Sequence, residues 1–343
     1  MQLPTYPKDG QVRVAAIQAQ AQEYATEADF EHKVMKLVED AKAAGAQIAV
    51  FPEDIGLWLE LSKRSPRILA LRSIATLTSI ANLAHSGFPT PADPTADSTV
   101  APAGTPQILN VPEFEVLLGR FTDWIAGLIH VPFFGEWLGQ SRIDQTYLGT
   151  MSLAAKKYGI VIVGGSIFEV RDDGIYITCY VFDTDGSIAG RYDKHHLVSM
   201  EKCFGAIPST DPVVPIKTRD FNIGACICYD LNFGPTELDA GFREIPVALE
   251  LKQAGAQLIC AGSTGIRPWP NYPYRPAIDA PQIRRAQETR LSIVRAYQTG
   301  WLVPGIYMDG LSEIVLPDGT IAASSYPDYQ AYEKIFISDV PLA

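Results

Sequence analysis

No run of five or six like charges occurs in the chain, and its balance is acidic, a formal net charge of −11 over 343 residues. The summed field of such a surface repels polyanions, which argues against nucleic acid and anionic membranes as partners. Cysteine is scarce and odd in number, with five residues at 179, 203, 226, 228 and 260, mostly in apolar surroundings. That usage excludes a disulfide framework and suggests a cytoplasmic location. Long hydrophobic runs are missing too. The most apolar window, WIAGLIHVPFF at 124–134, is too short to span a bilayer, holds His130 and Pro132, and is edged by Asp123 and Glu136. The opening MQLPTYPKDGQVRVAAIQAQ lacks the basic and apolar stretches of a secretory leader. There is no internal repeat and no Cys-x-x-Cys. What is present is a 47% hydrophobic, 20% charged composition, that of a soluble globular protein with a substantial core.

Short apolar runs alternate with amphipathic stretches, the pattern of an α/β fold. VRVAAIQ (12–18) and QIAVF (47–51) read as strands around a helix over 28–46, where Phe30, Val34, Leu37, Val38 and Ala41 recur at helical spacing before Gly45 stops it. MSLAAKKYG (151–159) predicts a helix and IVIVGGSIF (160–168) a strand; 175–194 predicts a hairpin turning at Asp185-Gly186. FNIGACIC (221–228) is a buried strand, 247–256 a helix, 257–261 a strand, and 279–300 one long helix ending at Gly300. Closing strands follow in WLVPGI, LSEIVLPDGTIAAS and EKIFISDV. The expected organisation is one domain over 1–343 carrying an insertion at 60–145. That insertion combines a Pro-rich arm (86–106) with an amphipathic, aromatic helix-length segment. The segment either packs on the core or forms a lid or wall over a substrate pocket. Its acidic charges disfavour a membrane-surface role.

Cys226 and Cys228 stand two apart on a predicted strand and so share a face. A closed metal site needs about four ligands. Only His195 and His196 cluster as candidates, and adjacent strand residues face opposite ways. A disulfide at this spacing would be strained. One nucleophile and a bystander remain. Cys228 sits where the apolar strand yields to YDLNFGP, at the sheet rim where α/β proteins keep their sites. A tight turn there lets the Tyr229 backbone N–H face an oxyanion. Cys226 lies deeper, as core packing. On shape alone, catalytic and core roles for Cys228 stand level.

A thiol nucleophile needs a base and a charge stabiliser. Glu53 directly follows a buried strand, Lys194 ends the hairpin, and Glu201 lies seven residues on. Singly, such residues are ordinarily solvated rim groups. Together they place a carboxylate, an ammonium and a thiol at three strand ends.

On VFPED (50–54), GRYDKHHL (190–197) and GACICYDLNF (224–233), with RAYQTG (295–300) followed by GLSEIVLPDG (310–319), the chain resembles the nitrilase, or carbon–nitrogen hydrolase, superfamily. The resemblance covers about 11–340 apart from the insertion. It implies a four-layer α-β-β-α sandwich, assembly as a homodimer or larger homo-oligomer, and neither metal nor organic cofactor. It also implies Glu53 as general base, Lys194 as oxyanion stabiliser, Cys228 as nucleophile and Glu201 as a second, substrate-positioning glutamate. Tyr229-Asp230 after Cys228 resembles the amidase, carbamoylase and acyltransferase branches more than nitrilases, which usually show Trp-Glu there. The implied reaction is hydrolysis of a small-molecule amide through a thioester. N-acyl transfer to an amine and nitrile hydrolysis are the alternatives; a binding scaffold or metal-binding protein is the non-enzymatic one. Trp269, Tyr272 and Tyr274 fall where related folds line the pocket, which suggests an aromatic or long apolar substrate; aromatic surface packing explains them equally. Gln298 stands where the family usually has Glu, and LNFGPTE departs from its Phe-Pro-Glu pattern. His195 and His196 are left with structural roles.

Overall fold

A computed structural model describes residues 9–22, 24, 26–56, 143–198, 201, 202, 205–232, 246–267, 281–303, 306–325 and 332–343. In it the almost wholly buried β1 (Gln11–Gln20) organises the molecule. A strand buried along its length needs neighbours on its edges and cover on its faces. β1 pairs in parallel with β2 (Ile48–Val50), and antiparallel with β15 (Lys334–Pro341), from Gln11 opposite Pro341 to Gln18 opposite Lys334. Beyond β2 come β3 (Val161–Val163), then β5 (Gly174–Phe182), which carries β4 (Ile167–Arg171) and β6 (Ile188–Asp193).

At its carboxyl end β1 also meets β11 (Ile293–Val303), with Ala19 opposite Gln298 and Gln20 opposite Thr299. There the sheet folds over into a second one. It runs from β11 through β9 (Leu258–Ser263) and β8 (Asn222–Ile227) to β7 (Ile216–Lys217). β10 (Ile266–Arg267), β12 (Ile306–Asp309), β13 (Glu313–Val315) and β14 (Ile321–Ser324) extend it.

Two helices cover the first sheet. α1 (Glu27–Ala43) starts with a capping box, in which Thr26 Oγ1 accepts from Asp29 N–H (3.2 Å) and Asp29 Oδ2 accepts from Thr26 N–H (2.8 Å). Its stripe of Phe30, Val34, Leu37, Val38 and Ala41 packs with Tyr147, Met151 and Ala154 of α2 (Ile143–Tyr158) over Ala15, Ile17, Ala49 and Ile162. The other face of that sheet (Val12, Val14, Ala16, Val161, Val163) merges with Ile223, Ala225, Ile259 and Ile293 of the second sheet. The same cluster reaches Val247, Ala248 and Leu251 of α3 (Val247–Gln253) and Ala286 of α4 (Pro281–Thr289). Helix, sheet, sheet and helix thus stack in the four-layer order expected. Full burial of each Val, Leu, Ile, Phe or Met among them contributes about 1.5–3 kcal/mol, which makes this packing the main driving force for the stack. Among the described residues no helix is long and apolar enough to cross a membrane.

Three sequence expectations need correction. The segment 279–300 is not one helix: α4 stops at Thr289, Arg290 takes a left-handed φ of 56°, and Ile293 begins the buried strand β11. A fully buried strand has no alternation, so its apolar run mimics a helix face; β-branched Ile293 and Val294 are the residues that favour the strand. IVIVGGSIF is two strands, because Gly165 turns the chain with φ 74°, and a Cβ there would lie 2.0 Å from the Pro52 carbonyl oxygen. Helix α2 also begins earlier than 151, and its first residues overlap the end of the 60–145 segment. The rest of that segment, with its Pro-rich arm and aromatic stretch, lies outside the described residues, as do Cys203, Trp269, Tyr272 and Tyr274.

Candidate active site

Past the carboxyl ends of β2, β6, β8 and β9 stand Glu53, Lys194, Cys228 and Thr264, which contact one another in a chain: Lys194 with Glu53, Glu53 with Thr264, and Thr264 with Cys228. Close approach is built in at Gly262 of β9, where an added Cβ would sit 3.0 Å from both Glu53 N and Phe51 O. Only glycine lets the two sheets meet this tightly at the rim.

Glu53 follows β2 and is 2% exposed; Lys194 follows β6 and is 1% exposed. Their ion pair is short, with Lys194 Nζ 2.6 Å from Glu53 Oε1. Glu201 reaches the same ammonium from the other side, Oε1 at 2.5 Å from Nζ, while its Oε2 accepts the Val198 N–H at 2.8 Å. The structure therefore brings together three of the residues singled out from the sequence, Glu53 and Lys194 from strand ends and Glu201 from the segment beyond. Burial pulls Lys194 down, but the two carboxylates outweigh it and hold the ammonium well above its ordinary range. Burial and Glu53 push Glu201 up to about 7 against the pull of Lys194. Asp54, in a left-handed conformation (φ 58°), is a third carboxyl of this cluster, pushed well up by burial and by Glu53 and Glu201.

Cys228 begins a 3-10 helix, Cys228–Asn232, directly after β8. It is partly exposed, unlike Cys226, which is fully buried. Both are free thiols, and Cys226 fills core as its position suggested. The turn from strand to helix costs Cys228 a φ of 42°, a strained value for a residue with a Cβ. Its S–H donates to the Thr264 carbonyl at 3.4 Å. Burial and the Glu53 charge push the thiol up to about 12, although Lys194 and Arg295 draw it down. Such a shift favours the neutral thiol. Its reaction with methyl methanethiosulfonate, which carries no amide, is expected to accelerate about tenfold per pH unit between about pH 6 and about pH 9. A plateau near neutrality would instead reveal a preformed thiolate.

Asp230, fully buried, holds the sharp turn and was not singled out from sequence. Its Oδ2 accepts from Ile227 N–H (3.1 Å) and Tyr192 O–H (2.8 Å), and its Oδ1 from His196 N–H and Nδ1, both at 2.9 Å. His195 Nδ1 stands 3.1 Å from the Tyr192 hydroxyl, and its Nε2 2.9 Å from the Asp211 carbonyl oxygen. Lying past the end of β6, the two histidines do not diverge as strand neighbours would. Both join the Tyr192–Asp230 network, in the structural role expected for them, and tie the loop of Lys194 to the turn of Cys228. An Asp two residues after a strand-end Cys is the pattern that could have revealed the clamp, since Asp side chains bind nearby backbone N–H groups.

Tyr229 follows Cys228 as the second residue of the 3-10 helix. Gln298, on β11, donates from Nε2 to the Glu53 carbonyl at 2.7 Å. Among the described residues no three His, Cys, Asp or Glu side chains are grouped to hold a metal ion. A buried carboxylate, an ammonium and a partly exposed thiol in one rim can move a proton off sulfur and hold a negative oxygen.

A sequence model described as carbon–nitrogen hydrolase matches residues 101–343. Among curated proteins, the chain is 34% identical over 93 residues to "Probable hydrolase YhcX" of Bacillus subtilis, covering 27% of this chain and 18% of that protein. It is 33% identical over 109 residues to "Omega-amidase NIT2" of Danio rerio, covering 29% of this chain and 38% of that one. The chain thus spans under two fifths of the length of these curated relatives. Among solved structures, an amidase from Nesterenkonia sp. superposes with a TM-score of 0.60 at 16% identity, covering 98% of this chain and 93% of that one. A carbon–nitrogen hydrolase from Helicobacter pylori gives 0.57 at 18% identity, covering 97% and 89%. At such identities the likeness is one of fold.

Proposed function

The chain belongs to the carbon–nitrogen hydrolase family, and from that membership we propose that it hydrolyses a small-molecule amide through a thioester on Cys228. The single observation that carries this reading is the buried Glu53–Lys194–Glu201 ion cluster within electrostatic reach of a partly exposed thiol. A structural ion cluster has no use for a thiol held in its field on a strained strand-end turn, whereas acyl transfer needs one.

In this reading Glu53 takes the Cys228 proton as sulfur attacks the amide carbon. The carbonyl electrons move to oxygen, where the Lys194 ammonium and the backbone N–H of Tyr229 receive the charge. Collapse breaks the C–N bond, and Glu53 passes its proton to the departing nitrogen, which leaves as ammonia or an amine. Water then enters; Glu53 removes one of its protons while the oxygen attacks the thioester carbon. The C–S bond breaks, the proton returns to sulfur, and the acid departs. Glu201 anchors Lys194 through the contact of its Oε1 with Nζ and so helps to fix where the ammonium stands. The resemblance of the Tyr229-Asp230 pair to amidase branches and the similarity to an omega-amidase among the curated proteins support amide over nitrile. We propose a homo-oligomer as the working assembly and the 60–145 segment as a family-atypical insertion in one domain.

Brief exposure to a panel of amides and esters, followed by intact-mass measurement, tests the scheme. An acyl adduct is expected on the wild type and absent from Cys228→Ala, while in Glu53→Gln both its formation and its hydrolysis should slow, because each step uses the same base. Free acid as the product supports hydrolysis; an acylated amine, with an amine supplied, would make the protein an N-acyltransferase using the same thioester. Turnover by Cys228→Ala would end the proposal.

A further inference from the structure

Glu53 lies three residues beyond the last residue of β2, outside the hydrogen-bond ladder that fixes a strand's backbone. Something else must hold it, because a base displaced by an ångström from its proton loses much of its rate. Three side chains do so. The Glu53 carbonyl oxygen accepts from Gln298 Nε2 at 2.7 Å and from Thr264 Oγ1 at 3.2 Å, and the next amide, Asp54 N–H, donates to Ser166 Oγ at 2.9 Å. Thr264 serves both reacting groups, for its own carbonyl is the acceptor of the Cys228 S–H.

We propose that Gln298 and Thr264 are positioning residues that grip the general base by its own carbonyl and set its distance from the sulfur. The inference rests on the reading of Glu53 as base given above. Gln298 is fully buried, and its Oε1 has no hydrogen-bond partner among the described residues. Turning the carboxamide over would place two carbonyl-type oxygens 2.7 Å apart, so the donor must face Glu53. This explains glutamine at a position where a glutamate could occupy the same volume. A carboxyl there donates only while protonated, whereas the amide donates at every pH. Thr264, first residue after β9, reaches the same oxygen from the second sheet, so the grip spans both sheets.

The test uses the full-length protein and the amide of the panel that wild type hydrolyses fastest. Gln298→Met and Thr264→Val, both close in volume, are expected to lower kcat about tenfold or more with KM within about twofold, since geometry rather than binding is disturbed. Thr264→Ser keeps the hydroxyl and should restore kcat to within about threefold of wild type. Gln298→Glu gives the readout that a merely structural role would not move: its kcat relative to wild type falls as pH rises from about 5 to about 9, because ionisation turns the donor into a repelling acceptor. Wild-type kcat in Gln298→Met and Thr264→Val overturns the proposal. So do losses matched by the unfolded fraction in a melting curve, or a Gln298→Glu profile parallel to wild type. Glu53→Gln separates the two levels. If that variant turns over normally, the base assignment itself is wrong; if it is inactive while Gln298→Met and Thr264→Val are unimpaired, only the grip is.

Discussion

Exchanging Lys194 for methionine is expected to lower kcat/KM by about 10²–10³, the usual loss when one oxyanion donor is removed, and to destabilise the fold by about 3–5 kcal/mol. The second effect separates this lysine from an ordinary catalytic donor. Its ammonium lies between Glu53 and Glu201, and all three are almost wholly buried. Taking two carboxyl groups out of water is costly, and the shared cation is the charge that offsets it, helped at Glu201 by the Val198 N–H. Without the cation they face one another, and at least one must hold a proton in the folded state. The sign of the pH dependence follows. Glu201 is already raised to about 7 with Lys194 pulling it down, so the substitution raises it further. A carboxyl raised above its unfolded value of about 4.3 stabilises the fold below that value and loses its contribution as pH rises through the folded one. The variant should therefore melt closest to wild type near pH 5 and farthest below it near pH 8. Adding Glu201→Gln should recover part of the melting temperature at pH 8 and none of the activity. A Lys194→Met protein as stable as wild type at both pH values would mean that the ion cluster is not buried in solution.

Much of the candidate site was legible because its proposed groups sit at strand ends, and strand ends are marked by composition. Pro52 closes β2 one residue before Glu53, Lys194 follows the last residue of β6, and Cys228 is the first polar-side residue after NIGACI. Those breaks in apolar runs need no coordinates to see. What could not be read is the scaffolding that works through backbone atoms. Thr264 and Gln298 act on a carbonyl and Asp230 on an N–H, and nothing in a side chain's identity tells which main-chain atom of a distant segment it will meet. Gln298 was visible only as a departure from a pattern. The fold failed to show itself for a related reason at 279–300. Periodicity separates helix from strand only where one face meets water. From Leu291 to Gly300 every residue is buried, so β11 presents no polar face to count. Its signal was local: Arg290 in a left-handed conformation ends α4, as a glycine commonly would at that point.

Replacing Cys228 should abolish turnover while separating its chemistry from its backbone. Alanine and glycine both remove the sulfur, and each is expected to lower kcat at least about a thousandfold, as loss of a nucleophile does elsewhere. Their stabilities should differ in an unusual order. At most positions glycine is the weaker choice by about 0.5–1 kcal/mol, through the entropy of the unfolded chain. At 228 the backbone is left-handed, φ 42°, where a Cβ costs about 1–2 kcal/mol. Alanine keeps that strain and glycine sheds it, while both lose the S–H···O bond to Thr264. Glycine should therefore match or exceed alanine by up to about 1 kcal/mol in urea unfolding, the difference of the two opposing effects. An alanine variant clearly more stable than glycine would mean that residue 228 is relaxed in solution. The strain would then have no part in lifting the sulfur off the strand. If the order holds, the cost of the turn is borne for position alone. β8 ends, Asp230 catches the Ile227 N–H, and the chain is forced through one strained residue that leaves the thiol at the rim where Glu53 and Lys194 act on it.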